Sequence, residues 1–573
     1  MKGEKAFRLM AVLVAASMLL AACGPAPTPV VVEKEKVVEK PVVQTVVVEK
    51  EKVVEKPVVQ TVVVEKVVAP TPTPRPPTQF VFAHGGPIRT MDAPVTWYGS
   101  THWLTNLLYD CLIWRHPTGA GYVGQAAEKW ETVNPTTWRF HLRKGLTFHN
   151  GEPLDANAVK WNIDRVRTRK DFMVQPQWEF VKDVIVVDDL TVDITTEKPH
   201  AYFEYDVSYN GCELLPPKYI EQVGEEEFAK KPVGSGPYKL VEMIPNEKYV
   251  FEAWDGYWAG RPEVDRVIYQ VIPEKASQIA ALLAGQVDLV AGVPLPDVKK
   301  VAQARGIVTM EMTSGRVNHL YLRTETESGN MAKKYPGYQP ATLDKRIRHA
   351  ISYALDRNLL ADVMGSATPI VVRLSRFDAE AFPGKYAGAE NAAKYYDPEK
   401  AKALIKEAGY DPDAGKKPKL YFDAPAYYFG NEKEIAEAIK VMLEDVGFEV
   451  ELTILDRAAH FEQIVEPGNN RDLLFVTLGT GASLVPLFYM CDWWEPTYHV
   501  CDPEWDKLSA QIMTTVDANE RLKLWDKWWE FYLDYAHTVT LHEINNIYAM
   551  NEKFEWTPRK DGWMTFRDLK LAK

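Results

Sequence analysis

Residues 30–45 read VVVEKEKVVEKPVVQT, and residues 46–61 repeat them without a change. A third copy begins at Val62 and reaches Val68. This duplication constrains the fold more than any other feature of the chain. Pro41 and Pro57 recur once per copy. A proline inside a helix removes a hydrogen bond and clashes with the preceding turn. Valine pairs between Glu/Lys pairs fit a coiled-coil heptad poorly. Each copy carries three Glu and three Lys, so the tract is near neutral and has too little apolar surface for a core. The Pro/Thr run Ala69 to Pro77 then favours extended polyproline geometry. Residues 24–78 read as a disordered stalk, and the folded body begins at 79.

Ahead of the stalk stand Lys2, Lys5 and Arg8, then an apolar segment from Leu9 to Ala22 that ends in Leu20-Ala21-Ala22-Cys23. The segment is too short to span a bilayer as a stable helix. A basic start, a short apolar stretch and small residues before a cysteine resemble a bacterial lipoprotein signal. Residues 1–23 are therefore expected to direct export, with cleavage before Cys23 and acylation of its sulfur. More than one acyl chain makes such an anchor stable.

The body, from Thr78 onward, is long enough for two or three domains with cores of their own. All 17 Trp lie in it. The whole chain has a net charge of −12, while the signal segment and Arg75 are net basic and the repeats neutral. The body is thus strongly acidic, which argues against binding nucleic acid or anionic lipid. No second apolar segment could span a bilayer.

With Cys23 lipidated, four of the five cysteines remain. An even remainder in an exported protein suggests disulfides. Cys491 and Cys501 flank a Trp/Pro/Tyr-rich loop, so a staple there is the natural pairing. Cys111–Cys212 then follows by elimination, with two buried free thiols as its alternative. Nothing has metal-finger spacing, and neither a metal nor a cofactor is expected.

Periodicity along the body switches between strand and helix. Strands are expected at 79–83, 136–142, 184–194 (two runs around Asp188-Asp189), 238–251, 267–272 and 449–455. Helices are expected at 101–112, 155–166 with Asp155 as cap, 275–284, 343–364, 398–407, 431–446 and 518–535. Trp525, Trp528 and Trp529 sit at helical spacing and read as core. Asp356-Arg357 reads as a helix-end charge pair. This mixture indicates α/β layers.

Several motifs, taken in order, resemble one family. They are Trp138-Arg139-Phe140-His141-Leu142-Arg143-Lys144-Gly145 with Phe148-His149-Asn150-Gly151-Glu152-Pro153-Leu154; Gly234-Ser235-Gly236-Pro237-Tyr238; Tyr257-Trp258 with Arg261-Pro262; Gly285-Gln286-Val287-Asp288; Asp344-Lys345-Arg346-Ile347-Arg348 with Asp356-Arg357; and Tyr396-Asp397-Pro398-Glu399-Lys400-Ala401 through Ala408-Gly409-Tyr410. The chain from 79 to 573 is similar to the extracellular solute-binding proteins of ABC importers, family 5, which includes oligopeptide- and dipeptide-binding proteins. Most of these signature residues have plain architectural readings as turns, caps and changes of chain direction.

The resemblance implies a two-lobed α/β periplasmic-binding-protein fold, type II and large, with an inserted subdomain and a hinge of two chain crossings. Lobe I would take 79–123, 209–312 and 545–573, with the insertion at 124–208. Lobe II would take 313–544. The crossings would fall near Thr313-Ser314 and His542-Glu543. A monomer is expected to capture a small solute between the lobes and deliver it to an ABC permease and its ATPase from the outer face of the cytoplasmic membrane.

The family's ligand motif has Trp, Asp and Tyr where Gly479-Thr480-Gly481-Ala482-Ser483-Leu484 has Thr480, Ser483 and Leu484. In the peptide binders that aspartate receives the ligand's amino terminus. A buried ammonium without a carboxylate partner is costly, so Glu543 or Asp492 would have to substitute, or the ligand is less cationic. An oligosaccharide is the rival to a peptide. The expected ligand residues are Trp97, Tyr98, Gly479, Thr480, Gly481, Ser483, Tyr489, Trp493, Trp494 and His542.

A cell-surface hydrolase is the alternative from another class. Leu541-His542-Glu543-Ile544-Asn545-Asn546 begins like a zinc-protease helix but lacks the second histidine, and there is no G-x-S-x-G elbow. The chain is therefore read as a binding protein and not as an enzyme.

Overall fold

Two strands far apart in sequence organise the body. Ile307–Leu322 and Thr538–Asn551 pair antiparallel over nearly their whole length. Both were missed by periodicity, because each is buried on both faces over part of its length and reads as a mixed run rather than an alternation. The computed structural model describes residues 77–573 except 87, 89, 97–98, 120, 325–336, 373–383, 428–429, 466–470, 480–484, 487–489 and 491–501. The chain divides after Arg75 into two units, and all described residues fall in the second. Cys23 and the stalk as far as residue 76 lie outside the described residues, as do Cys491 and Cys501. The expected stalk boundary is corrected at Thr78, which belongs to the body: its N–H and hydroxyl donate to Asp265 at 2.8 and 3.0 Å.

The two long strands sit in the middle of an 11-stranded sheet. At one end, residues 316–322 pair with Leu473–Gly479, which is followed in the sheet by Lys419–Pro425 and Glu449–Leu455. At the other end, residues 548–550 pair with Leu289–Ala291, and the sheet continues through Gln79–His84, Arg266–Val271, Lys248–Ala253 and Tyr238–Ile244. Between these ends the register slips from Thr313 to Arg316. A bulge of this kind bends a strand and increases its twist.

The cores follow the same division. Val539, Leu541 and Ile544 pack with Leu320, Ile347, Ile351, Phe422, Ile439 and Phe475. Tyr548 and Met550, on the same strand, pack with Phe80, Phe82, Tyr109, Phe251 and Phe566. One strand thus serves two separate cores, which is what a two-lobed α/β fold with a shared crossing requires.

A smaller four-stranded antiparallel sheet is formed by Ala127–Asn134, Thr137–Leu142, Thr191–Thr196 and Val181–Asp188, in that order. It packs on the helix Ala156–Thr168, which Asp155 caps by accepting the Ala158 N–H. Arg139 and Asp193 form a two-pronged pair across this sheet at 2.7 and 2.8 Å. The structure joins Cys111 to Cys212, with Cα atoms 5.1 Å apart, so these are not two free thiols. The bond closes a loop of 101 residues that carries the whole small sheet. Long loops gain most from such closure, so the double variant Cys111→Ala, Cys212→Ala is expected to lose about 2–4 kcal/mol of stability. Chemical denaturation of reduced and oxidised protein checks this.

Two of the signature motifs dock on each other. The His149 N–H donates to Gly234 O at 2.7 Å, and its Nε2 lies 2.9 Å from Gly236 O. Burial lowers His149 to about 4, so its neutral ring donates from Nε2 and accepts the Gly234 N–H at Nδ1. A Cβ at Gly234 would stand 1.8 Å from Leu108 O, so no larger residue fits there.

Two expected elements are corrected. Residues 238–251 form a hairpin, Tyr238–Ile244 with Lys248–Ala253, turning through Asn246 at φ 59. The expected helix over 343–364 is two, Lys345–Ala354 and Arg357–Met364. Asp356 breaks it by capping the second helix, accepting the Asn358 and Leu359 N–H groups. Arg357 turns inward instead of serving a helix-end charge pair. It is 3 % exposed and donates to Thr540 O at 2.7 Å.

Candidate functional site

The region where the long strands change lobes collects several buried polar groups. Thr313 donates its hydroxyl to Glu543, which is wholly buried. Ser314 Oγ donates to Ile544 O at 2.8 Å. Asn318 Nδ2 lies 2.9 Å from His542 Nε2, and Thr477 Oγ1 donates to Asn318 Oδ1 at 2.6 Å. Burial lowers His542 to about 3, so its ring is neutral and Nε2 accepts the amide. These bonds lock the paired strands on either side of the bulge. Leu541–Asn546 thus lies in a strand, and successive residues point to opposite faces, so no zinc-protease helix exists here. Glu543, offered above as an acceptor for a ligand cation, is already occupied by Thr313.

The tail of the chain supports this crossing from behind. A Cβ at Gly562, φ 72, would come within 2.5 Å of Ser314 O. Beside it, Asp561 receives both arms of Arg559 at 3.0 and 2.7 Å and sits 3.5 Å from Arg115. Burial opposes the Asp561 charge, but the two guanidinium groups outweigh it and hold the carboxyl below its ordinary range. Arg115 is boxed by the rings of Tyr209, Trp563, Tyr205 and Trp114 at 5.0 to 5.7 Å.

Arg316 follows the bulge on the first of the two long strands. Its backbone pairs with Gly479 and with Ile544. It keeps part of its surface exposed, as do Tyr209 and Gly479. A Cβ at Gly479 would meet nothing within 4 Å, so this first residue of the ligand motif faces open space. The tyrosines of the run Tyr202, Tyr205 and Tyr209 continue the aromatic wall. That wall reaches the tryptophan helix Ala518–Tyr535. Trp525 Nε1 donates to Tyr202 Oη at 2.7 Å, the Arg521 guanidinium lies 5.0 Å from the Tyr202 ring, and the Ala201 N–H donates to Met513 O at 2.9 Å.

Of the residues expected from sequence, Gly479 and His542 are described. Gly479 opens into the site, and His542 holds the crossing strands together. Trp97, Tyr98, Thr480, Gly481, Ser483, Tyr489, Trp493 and Trp494 lie outside the described residues, and so does Asp492. Sequence reasoning missed Arg316 and the Tyr202–Tyr209 wall. The tyrosine density of 202–209 was a usable signal. Arg316 carried none, because only the pairing of strands brings it to Gly479.

Among the described residues no cluster of His, Cys, Asp and Glu could hold a metal ion, and no helix is long and apolar enough to cross a membrane.

Comparisons with known proteins agree with this architecture. The family profile "Bacterial extracellular solute-binding proteins, family 5 Middle" matches residues 121–498. The glutathione-binding protein GsiB of Pectobacterium atrosepticum is 27% identical over 416 residues, covering 69% of this chain and 75% of that protein. The oligopeptide-binding protein AppA of Bacillus subtilis is 26% identical over 446 residues, covering 73% and 78%. The crystal structure of the ABC transporter substrate binding protein CtaP from Listeria monocytogenes superposes with a TM-score of 0.75 at 22% identity, covering 87% of this chain and 100% of that one. These relatives are binding proteins, not enzymes. Two cores sharing a pair of crossing strands, with a profile match over most of the chain, place this protein among the bacterial extracellular solute-binding proteins of family 5.

Proposed function

We propose that the protein captures a peptide between its lobes outside the cytoplasmic membrane and hands it to an ABC permease. The observation that carries this reading is Gly479, the first residue of the ligand motif, held beside Arg316 with open space before its α-carbon, at the bulge where both long strands change lobes. Ligand there touches both halves, so binding and closure are coupled. Relatives named for glutathione and for oligopeptides support a peptide over an oligosaccharide. Ser483 in place of the family's aspartate means that the ligand's amino terminus is not held by an ion pair at that position. Mass spectrometry of solute co-purified with the protein tests the reading directly. A sugar without amide bonds would overturn it.

The 201–202 segment, in the proposed insertion, and Met513, Arg521 and Trp525, in the proposed second lobe, form the contact across the cleft. Tyr202→Phe leaves a buried Trp525 N–H without that acceptor, a cost of about 1–3 kcal/mol. Both side chains belong to one buried aromatic cluster, so the cost falls on the fold. The melting temperature should drop by about 1–4 °C. Scanning calorimetry measures it, and an unchanged melting temperature would show that the bond adds nothing to stability.

Cys23 anchors the protein by lipid, and residues 24–76 hold the body off the membrane. Cys23→Ala should move the protein from the membrane fraction to the soluble fraction. Deleting 24–77 should leave the melting temperature unchanged, since the stalk buries no core surface. A large loss on that deletion would sink the stalk reading.

A further inference from the structure

We propose that a cavity of about 610 Å³, between the hairpin Ile113–Arg115 with Tyr122–Gly124 and the tail of the chain, is a second binding site that takes a small organic anion with a flat apolar body. This site is additional to the peptide cleft and does not depend on it.

The walls come from the stretches 114–125, 257–263 and 559–570, with Pro237. None of the lining residues belongs to the two long strands, to Leu473–Gly479 or to the segment 201–209. The cavity is therefore separate from the opening at Gly479. Its volume lies in the range of sites that enclose a small molecule.

Three residues of the lining carry buried polar atoms with no hydrogen-bond partner among the described residues. These atoms are Trp114 Nε1, Arg115 Nε and Thr565 Oγ1. The three residues are 4, 6 and 6 % exposed. Buried polar groups are ordinarily hydrogen-bonded, because leaving one unpaired costs its desolvation. A ligand in the cavity accounts for all three together. An indole N–H and a guanidinium can only donate, so that ligand presents acceptor atoms.

The charge of the wall makes the acceptor an anion. Arg115 and Arg559 share one carboxylate, Asp561, at 3.5 and 2.7 Å, and all three side chains are buried. Two guanidinium groups on one carboxylate leave a positive charge in excess where burial makes it costly. Arg567 is held by Asp110 at 2.7 Å, and Arg261 by Asp255 and Asp265 at 2.7 and 2.8 Å. The other charged residues of the lining, Glu263, Asp568 and Lys570, are exposed, and solvent screens them. The uncompensated charge is thus the buried one. Trp258 supplies a flat apolar surface. Arg143 stacks on its ring with Cζ 3.9 Å from the centroid, and its Nε1 donates to Asp110 at 3.2 Å, so the indole is fixed while it stays half-buried. A carboxylate carried on a flat ring satisfies both kinds of wall.

Isothermal calorimetry on the full chain tests the site with 2-naphthoate, its neutral analogue 2-naphthamide, and acetate. Naphthoate is expected to bind once per chain, and about tenfold or more tightly than either of the others. Thr565→Val removes a hydroxyl with no partner in the fold, so the melting temperature of the free protein should hold while naphthoate affinity falls severalfold. Val123→Trp, at an exposed position of the lining, should fill the cavity and abolish binding. Equal binding of acid and amide overturns the proposal without any variant, as does failure of naphthoate to bind at millimolar concentration. Binding that survives both substitutions unchanged puts the anion elsewhere and overturns it as well. None of these outcomes bears on the peptide reading, which the co-purified solute decides.

Discussion

Trp528→Ala is expected to lower stability by about 3–5 kcal/mol, the range for deleting a large buried aromatic side chain. Trp528 has no exposed surface and lies at the centre of an aromatic cluster. Its ring packs 4.7 Å from Trp529, 5.1 Å from Trp505, 5.5 Å from Trp525 and 5.7 Å from Tyr532. Its Nε1 donates to Ser509 Oγ at 2.9 Å. The cavity cannot collapse easily, because every neighbour is itself a large ring already in contact with others. The same cluster includes Tyr202 and Tyr205, so the Tyr202–Trp525 contact should loosen together with the fold. Urea unfolding followed by circular dichroism measures the loss. A change below about 1 kcal/mol would show that the cluster repacks freely, contrary to the rigid packing described.

Glu213→Leu is expected to cost a similar amount, for an electrostatic reason. His102 is wholly buried, with Nδ1 2.6 Å from Glu213 Oε1 and Nε2 2.7 Å from Thr96 O. A carbonyl oxygen only accepts, so Nε2 carries a proton, and Nδ1 donates its own hydrogen to the Glu213 carboxylate. The ring is an imidazolium. Burial works against that charge, but the charge and hydrogen bond of Glu213, with the Thr96 carbonyl, outweigh it and raise His102 above its ordinary 6.5. Removing one partner of a buried pair costs about 3–5 kcal/mol, because the other charge is left without compensation. The double variant His102→Leu, Glu213→Leu should recover much of the loss.

The pair also makes stability depend on pH in a definite direction. A histidine whose folded pKa exceeds its unfolded one stabilises the fold fully below the unfolded value of 6.5. That contribution disappears as pH rises through the folded pKa, when the native ring loses its proton. Stability should therefore fall on the alkaline side, and this component of the slope should vanish in Glu213→Leu. Unfolding free energies between about pH 5 and pH 9 decide it. A wild-type curve that rises over this range would refute the imidazolium assignment.

Local signals in the sequence determined a good deal. Asp155 and the apolar spacing after it specify a capped helix whether or not the rest of the chain is present, because the cap bonds lie within one turn. Trp525, Trp528 and Trp529 declare a buried face by their spacing alone. The Gly234–Pro237 turn, the polyproline run and the order of signature motifs likewise depend on neighbours in the chain. From these the α/β class and the family could be read.

What only the tertiary structure decided is the site. Gly479 and Arg316 are distant in sequence and meet because two strands pair. His542 and Glu543 stand next to each other in the sequence and suggested metal or ligand chemistry. Strand geometry sends them to opposite faces, where Asn318 and Thr313 engage them as fasteners of the crossing. Periodicity reports which face of an element is apolar. It says nothing about which strand lies beside it or where two sheets exchange chains, and those long-range pairings are what set the charge and shape of the cleft.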